Sequence, residues 1–188
     1  MPQGDLKQGL TAPATLAAVI FDRDGVLNVD HGYVGQVERL EWTQGARRAV
    51  ARLNAQGTLA IVATNQSGVA RGYFDMAAVE AVHAAMAADL AVEGGRLDAV
   101  FVCPFHEDGV VAEYRVADHP DRKPNPGMVL NALARFDLDP DAVILVGDKA
   151  SDLEAAQRAG VRGVLFEGGD LERFLETLGI LASPGNNR

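Results

Sequence analysis

Short apolar runs rich in β-branched residues alternate along the whole chain with longer Ala- and Leu-rich stretches, and each short run breaks off into polar or glycine-containing residues. The runs Ala17–Phe21, Leu59–Ala63, Ala99–Cys103, Val143–Val146 and Gly163–Phe166 read as strands. The stretches near Gln44–Gln56, Met76–Val92, Pro126–Phe136, Asp152–Ala159 and Leu171–Leu178 read as amphipathic helices. This alternation predicts an α/β fold built on a parallel sheet. Punctuation supports it: Gly57 and Gly160 stand where helix C-terminal glycines belong, Asn125-Pro126 reads as an N-cap with a first-turn proline, and Ser151 with Glu154 reads as a capping box. No internal repeat or linker interrupts the pattern. Residues 14–182 are expected to form one domain, with 1–13 and 183–188 as flexible tails.

Composition narrows the classes of function. A chain of 188 residues that is 48% hydrophobic is sized for one domain with a full core. Its net charge of -9 argues against nucleic acid as a general partner, because phosphate backbones are bound mainly by excess Lys and Arg. The single cysteine, Cys103, excludes an intrachain disulfide and fits a reducing compartment. The chain opens with no basic segment followed by an apolar one, and no run approaches membrane-spanning length. A cytoplasmic protein is expected, with no membrane or nucleic-acid partner and no obligate protein partner.

The candidate chemistry lies where the strands end, the edge at which open α/β sheets bind ligands. Asp22-Arg23-Asp24-Gly25 follows the first strand and sets two carboxylates two residues apart. If the chain stays extended through Arg23, both project to one side, where one can attack an electrophile while the other moves protons. By itself the spacing also describes a solvated turn. After the second strand comes Thr64-Asn65-Gln66-Ser67-Gly68, rich in hydroxyls, amides and backbone N–H groups that suit anionic oxygens. Arg122-Lys123-Pro124 puts two cations beside a helix N-terminus, an arrangement unfavourable to the helix dipole unless an anion is shared. Gly147-Asp148-Lys149-Ala150-Ser151-Asp152 follows the fourth strand. There Asp148 is a candidate ligand, and Asp152 reads as an acid favouring the start of its helix.

Together these four segments resemble the four motifs of the haloacid dehalogenase superfamily of phosphatases, over about Leu16 to Phe166. The resemblance implies a Rossmann-like sheet of order 5-4-1-2-3 sandwiched by helices, Mg²⁺ and a phosphate ester substrate. It makes Asp22 the nucleophile that becomes an aspartyl phosphate and Asp24 the acid/base. Thr64 and Lys123 match the groups that hold the phosphoryl oxygens. Asp22, Asp148 and the backbone carbonyl of Asp24 match the magnesium ligands.

A longer first motif, Asp22 to Asn28 continued by Asp30-His31-Gly32-Tyr33, is similar to the branch that holds the heptose bisphosphate 7-phosphatases and the histidinol-phosphate phosphatases. That branch has no large cap domain. The resemblance implies a small phosphorylated sugar as substrate, bordered by Asp30, His31, Gly32 and Tyr33 with Asn65, Gln66 and Ser67. Arg122 would contact the part of the substrate that is not hydrolysed, and a guanidinium suits a second phosphate. Asp-His-Gly-Tyr favours a heptose 1,7-bisphosphate cut at its 7-phosphate. Histidinol phosphate or another small sugar phosphate is the alternative enzyme substrate, and a phospho-aspartate signalling module the alternative of another class. In one loop the chain departs from the branch. Relatives carry Cys-x-His and Cys-x-Cys around a structural zinc, whereas here Cys103-Pro104-Phe105-His106 and His119-Pro120-Asp121 leave only Cys103, His106, His119 and Asp121 as zinc donors. The expectation is a loop without metal, with Cys103 packed as a small hydrophobe.

Overall fold

A computed structural model describes residues 16–182. The expectation of flexible tails at 1–13 and 183–188 lies outside those residues. Five strands, β1 (Ala18–Phe21), β2 (Leu59–Asn65), β3 (Ala99–Cys103), β4 (Val143–Gly147) and β5 (Arg162–Leu165), form one sheet of order β3-β2-β1-β4-β5. Every pairing is parallel. A strand with neighbours on both sides and helices on both faces has no solvent-facing side chains, which is why β1, β2 and β4 read as unbroken apolar runs.

Alternate residues of these strands feed two cores. Val19, Phe21, Ala60, Val62, Ile144 and Val146 pack against α1 (Ala46–Ala55), α2 (Met76–Val92) and α5 (Leu171–Thr177). Ala18, Ile20, Ile61, Ala63, Val143 and Leu145 pack against α3 (Gly127–Phe136) and α4 (Ala150–Arg158). Helix α1 buries Ala46, Ala49, Val50 and Leu53, the i, i+3, i+4, i+7 stripe of a helix with one apolar face. Each large aliphatic side chain so buried contributes about 1.5–3 kcal/mol. Among the described residues no separate domain is inserted between these elements, so the C-terminal edge of the sheet is left open.

The elements fall within two residues of the sequence pattern, with β2 running on to Asn65, β5 shifted one residue earlier and α1 starting at Ala46, and two helix starts are capped differently from the expectation. Helix α4 begins at Ala150, and its first turn is closed by Asp152, whose Oδ2 accepts the Lys149 N–H at 3.0 Å, instead of by a Ser151–Glu154 box. Glu154 pairs with Arg158 one turn on. Helix α3 begins at Gly127 with Pro126 at the cap position. Asn125 has been drawn away from capping: its amide donates to Asp118 and to the His119 carbonyl, and its oxygen accepts from Arg158. At α3 a tertiary partner outcompetes the local cap, and at α4 one local acid replaces another. Gly57 and Gly160 take positive φ just beyond α1 and α4, as the sequence indicates.

Candidate active site

The four strand-end segments converge on one cavity of about 560 Å³. Asp22, Asp24, Asn65, Gln66, Ser67 and Lys123 line it, with Asp30, Gly32, Tyr33 and Arg122 around them. The Asp22 N–H still donates to Val146 O at 2.9 Å, extending the β1–β4 ladder by one residue and fixing where its side chain leaves the sheet. The chain then turns: Arg23 O accepts from the N–H groups of Leu27 and Asn28 at 2.9 and 3.0 Å. Gly25, at φ +90, makes that turn against the β4 loop, and a Cβ there would sit 2.3 Å from Asp148 Oδ2.

Asp22 Oδ1 accepts from the Arg23 N–H at 2.8 Å and lies 3.0 Å from Lys123 Nζ. On its other side Lys123 meets Asp152 Oδ1 at 2.6 Å, and all three side chains are buried. Burial pushes the Asp22 carboxyl up to about 6; Lys123 opposes that rise and Asp152 adds to it. Burial alone would depress the Lys123 ammonium, but the two carboxylates outweigh it and raise it. Burial likewise raises Asp148. The Asn65 amide fastens the Lys123 backbone, donating to its carbonyl at 2.9 Å and accepting its N–H at 3.1 Å.

Asp24 is held by three side chains. Arg23 Nη2 donates to both carboxylate oxygens at 3.0 Å, Asn28 Nδ2 donates at 2.9 Å and Gln66 Nε2 at 2.8 Å. Gln66 also donates to the Thr64 hydroxyl at 2.9 Å, which leaves the Thr64 proton available to a ligand oxygen. The guanidinium of Arg23 is fully buried, and its Nη1 lies 3.3 Å from His83 Nε2 on α2. Burial and the Arg23 cation push the His83 pKa down from 6.5 to about 4, so the imidazole stays a neutral acceptor. Because the folded pKa lies below the unfolded one, this stability is fully present above about pH 6.5 and lost as pH falls towards about 4. The expected loss is about 2–3 kcal/mol. His83→Gln keeps an acceptor and removes the proton site. Urea denaturation of both proteins at about pH 7 and about pH 4.5 is expected to show the smaller acid loss in the variant; equal slopes would exclude His83 as the source.

Asp22, Asp148 and Asp152 each offer a carboxylate oxygen within 4.8 Å of the others, and Asp148 Oδ1 is buried without a hydrogen-bond partner. An orphaned anionic oxygen beside an aspartate whose pKa is raised fits a hard divalent cation. The candidate zinc donors of the Cys103 loop are engaged separately. His106 Nδ1 accepts the Asp108 N–H at 3.0 Å, His119 Nδ1 accepts the Asp121 N–H at 3.1 Å, and Asp121 Oδ1 accepts from Asn131 at 3.2 Å. Cys103 is buried at the end of β3, where burial pushes its thiol up. Among the described residues these four do not gather into a donor group.

Of the residues singled out for substrate, His31 is not part of the cavity wall; its Nε2 lies 2.7 Å from Glu41 Oε2. Asp30 accepts the Gly32 N–H at 2.9 Å and pairs with Lys149 at 3.2 Å, and both partners draw its carboxyl down against the effect of burial. Arg39 Nη2 ties down the same turn through the carbonyls of His31 and Gly32, at 2.7 and 3.1 Å. Sequence reasoning passed over Arg23, which stands as a spacer between two aspartates, and His83, a lone histidine in an alanine-rich helix. It also assigned Asp152 only to its helix. Helical spacing gave no hint, because Asp148 lies outside α4, before the extended Lys149 that caps it.

The HAD-hydrolase-like family model matches residues 121–176. The chain is 45% identical over 160 residues to D-glycero-beta-D-manno-heptose-1,7-bisphosphate 7-phosphatase of Rhodopseudomonas palustris, covering 85% of this chain and 88% of that one. It is 42% identical over 149 residues to D-glycero-alpha-D-manno-heptose-1,7-bisphosphate 7-phosphatase of Burkholderia mallei, covering 79% and 78%. The crystal structure of D,D-heptose 1,7-bisphosphate phosphatase from B. bronchiseptica, complexed with magnesium and phosphate, superposes with a TM-score of 0.73 at 37% identity over 88% of each chain. Sheet order, strand-end carboxylates and these likenesses agree, and the chain belongs to the haloacid dehalogenase-like phosphatases, in the family of the heptose-1,7-bisphosphate 7-phosphatases.

Proposed function

We propose that this chain is a Mg²⁺-dependent phosphatase that removes the 7-phosphate of D-glycero-D-manno-heptose 1,7-bisphosphate, with residues 14–182 as its single catalytic domain and the cytoplasm as its place of work. The observation that carries the substrate reading is Arg122. It lines the cavity, and among the described residues it is the lining cation with no carboxylate partner: Lys123 is matched by Asp22 and Asp152, and Lys149 by Asp30. Burial depresses the Arg122 guanidinium, so an anion there relieves a cost already present in the free protein. A bisphosphate brings that anion.

In the first step an Asp22 carboxylate oxygen attacks phosphorus and the bond to the sugar oxygen breaks, while Asp24 delivers its proton to the departing alkoxide. Lys123 and the Thr64 hydroxyl hold the phosphoryl oxygens as charge spreads over them. In the second step Asp24 takes a proton from water, which attacks the aspartyl phosphate, releases inorganic phosphate and regenerates Asp22. Bound Mg²⁺, held by Asp22, Asp148 and the main-chain carbonyl of Asp24, supplies positive charge between two anionic reactants. Asp152 is the positioning partner of Lys123. Asp30, Gly32, Tyr33 and Ser67 face the sugar, whereas Asn65 and Gln66 set the catalytic groups in place and His31 braces its loop through Glu41. Histidinol phosphate carries an ammonium and an imidazole, which gain nothing from an unmatched arginine.

With Mg²⁺ present, kcat/KM for the heptose bisphosphate is expected to exceed that for histidinol phosphate by about a hundredfold or more, because the arginine is left unpaired by the latter. A panel with both heptose anomers, histidinol phosphate and fructose 1,6-bisphosphate tests this, and a lead for histidinol phosphate would overturn the heptose assignment. Removal of Mg²⁺ by a chelator is expected to stop turnover until the ion is restored.

A further inference from the structure

The loop after β3 and the loop before α3 are joined by a stacked pair of rings. Phe105 and His119 lie face to face with centroids 3.9 Å apart and planes 12° from parallel. Tyr114 leans on Phe105 with centroids 5.8 Å apart. The main chains of the stacked residues also grip Arg122. The Phe105 carbonyl accepts from Arg122 Nη1 at 3.2 Å, and the His119 carbonyl accepts the Arg122 backbone N–H at 2.9 Å. One end of the arginine is thus fixed by each member of the pair.

No carboxylate among the described residues aims the Arg122 guanidinium; the Phe105 carbonyl directs its side chain, the His119 carbonyl holds its backbone, and the stacked rings join the two loops that carry them. We infer that the Phe105–His119 stack is a positioning device for Arg122, and that it sets the preference for substrates bearing a second phosphate. The inference rests on the reading of Arg122 as the distal phosphate contact. It also assigns His119 a role carried by the face of its ring. That suits a ring whose Nδ1 is spent on the Asp121 N–H and whose loop holds no assembled zinc donor set.

The test compares KM and kcat for the heptose bisphosphate and for p-nitrophenyl phosphate, which has one phosphoryl group and no second anion. Phe105→Ala is expected to raise KM for the bisphosphate about fivefold, in line with the value of one aromatic pair. Its kcat and both constants for p-nitrophenyl phosphate are expected to stay within about twofold of the parent. Phe105→Tyr and His119→Phe keep a stacked pair and are expected to retain the parental KM, whereas His119→Ala is expected to behave as Phe105→Ala. In an Arg122→Ala background, Phe105→Ala is expected to add nothing. Proportionate loss on both substrates, loss in His119→Phe as large as in His119→Ala, or additive effects in the double variant would each overturn the inference. If Arg122→Ala alone leaves the substrate ratio unchanged, the distal phosphate reading falls and takes this inference with it; if it shifts the ratio while Phe105→Ala does not, only the stack is excluded. Should Phe105→Ala fail to fold, the two His119 variants decide alone.

Discussion

Asp22→Asn protein is expected to fold normally and to release phosphate at least about ten-thousandfold more slowly than the parent. An amide oxygen is too weak a nucleophile to form the acyl phosphate, and no neighbouring group replaces it: Asp24 is held by Arg23, Asn28 and Gln66, and Asp152 is matched to Lys123. The fold tolerates the change because the amide preserves shape and hydrogen-bonding capacity beside Lys123, which retains Asp152 as its counter-ion. A stability change within about 1 kcal/mol is expected, since the lost ion pair is offset by a carboxylate that no longer has to be buried. Phosphate release under saturating bisphosphate, with urea denaturation in parallel, measures both. Release near the parental rate would remove Asp22 as nucleophile.

Lys123→Met is expected to damage both stability and activity. Removing one partner of a buried charge cluster costs about 3–5 kcal/mol, because Asp22 and Asp152 are then left facing each other without a cation. Loss of a preorganised donor to the phosphoryl oxygens costs about a hundred- to a thousandfold in kcat. The stability loss has a sign with pH. Asp22 already stands at about 6 with Lys123 in place, and taking the ammonium away raises it further, so the folded variant holds protons that the unfolded chain has released. Stability of the variant relative to the parent is therefore lowest at high pH and recovers as pH falls and the carboxyls protonate. Urea midpoints at about pH 8 and about pH 5.5 are expected to show the larger deficit at the higher pH. A deficit that does not change with pH would mean that the lysine contributes through packing alone.

Much of the site is legible in the chain because of where its residues fall. Asp22, Thr64 and Asp148 directly follow or end apolar runs, and a strand end in a parallel sheet places its next side chain on the ligand-binding edge. Lys123 is legible for a different reason, as a cation that a helix start disfavours. What could not be read depends on packing between distant segments. Nothing local distinguishes Arg23 from a solvated spacer; its role follows from burial against His83, Gln66 and the Val34 carbonyl, which belong to three other parts of the chain. Asp152 is legible as a helix-starting acid and holds that position, but its second oxygen is assigned by a lysine on another loop. The cap at Asn125 failed likewise, its side chain claimed by Asp118, the His119 carbonyl and Arg158, whereas at α4 the first turn is closed locally by Asp152.

The buried trio of Asp22, Lys123 and Asp152 also bears on the order in which the molecule acquires its properties. Its members follow β1, β3 and β4 in turn along the chain, and each is tenable away from water only when the others are present. Contacts of such long sequence separation form late, after the loop-closure entropy of the intervening crossovers has been met. A chain with only its N-terminal half in register holds both aspartates of the first motif and no working centre. Phosphate turnover is accordingly a gauge of completed folding, silent in every intermediate that lacks the C-terminal strands.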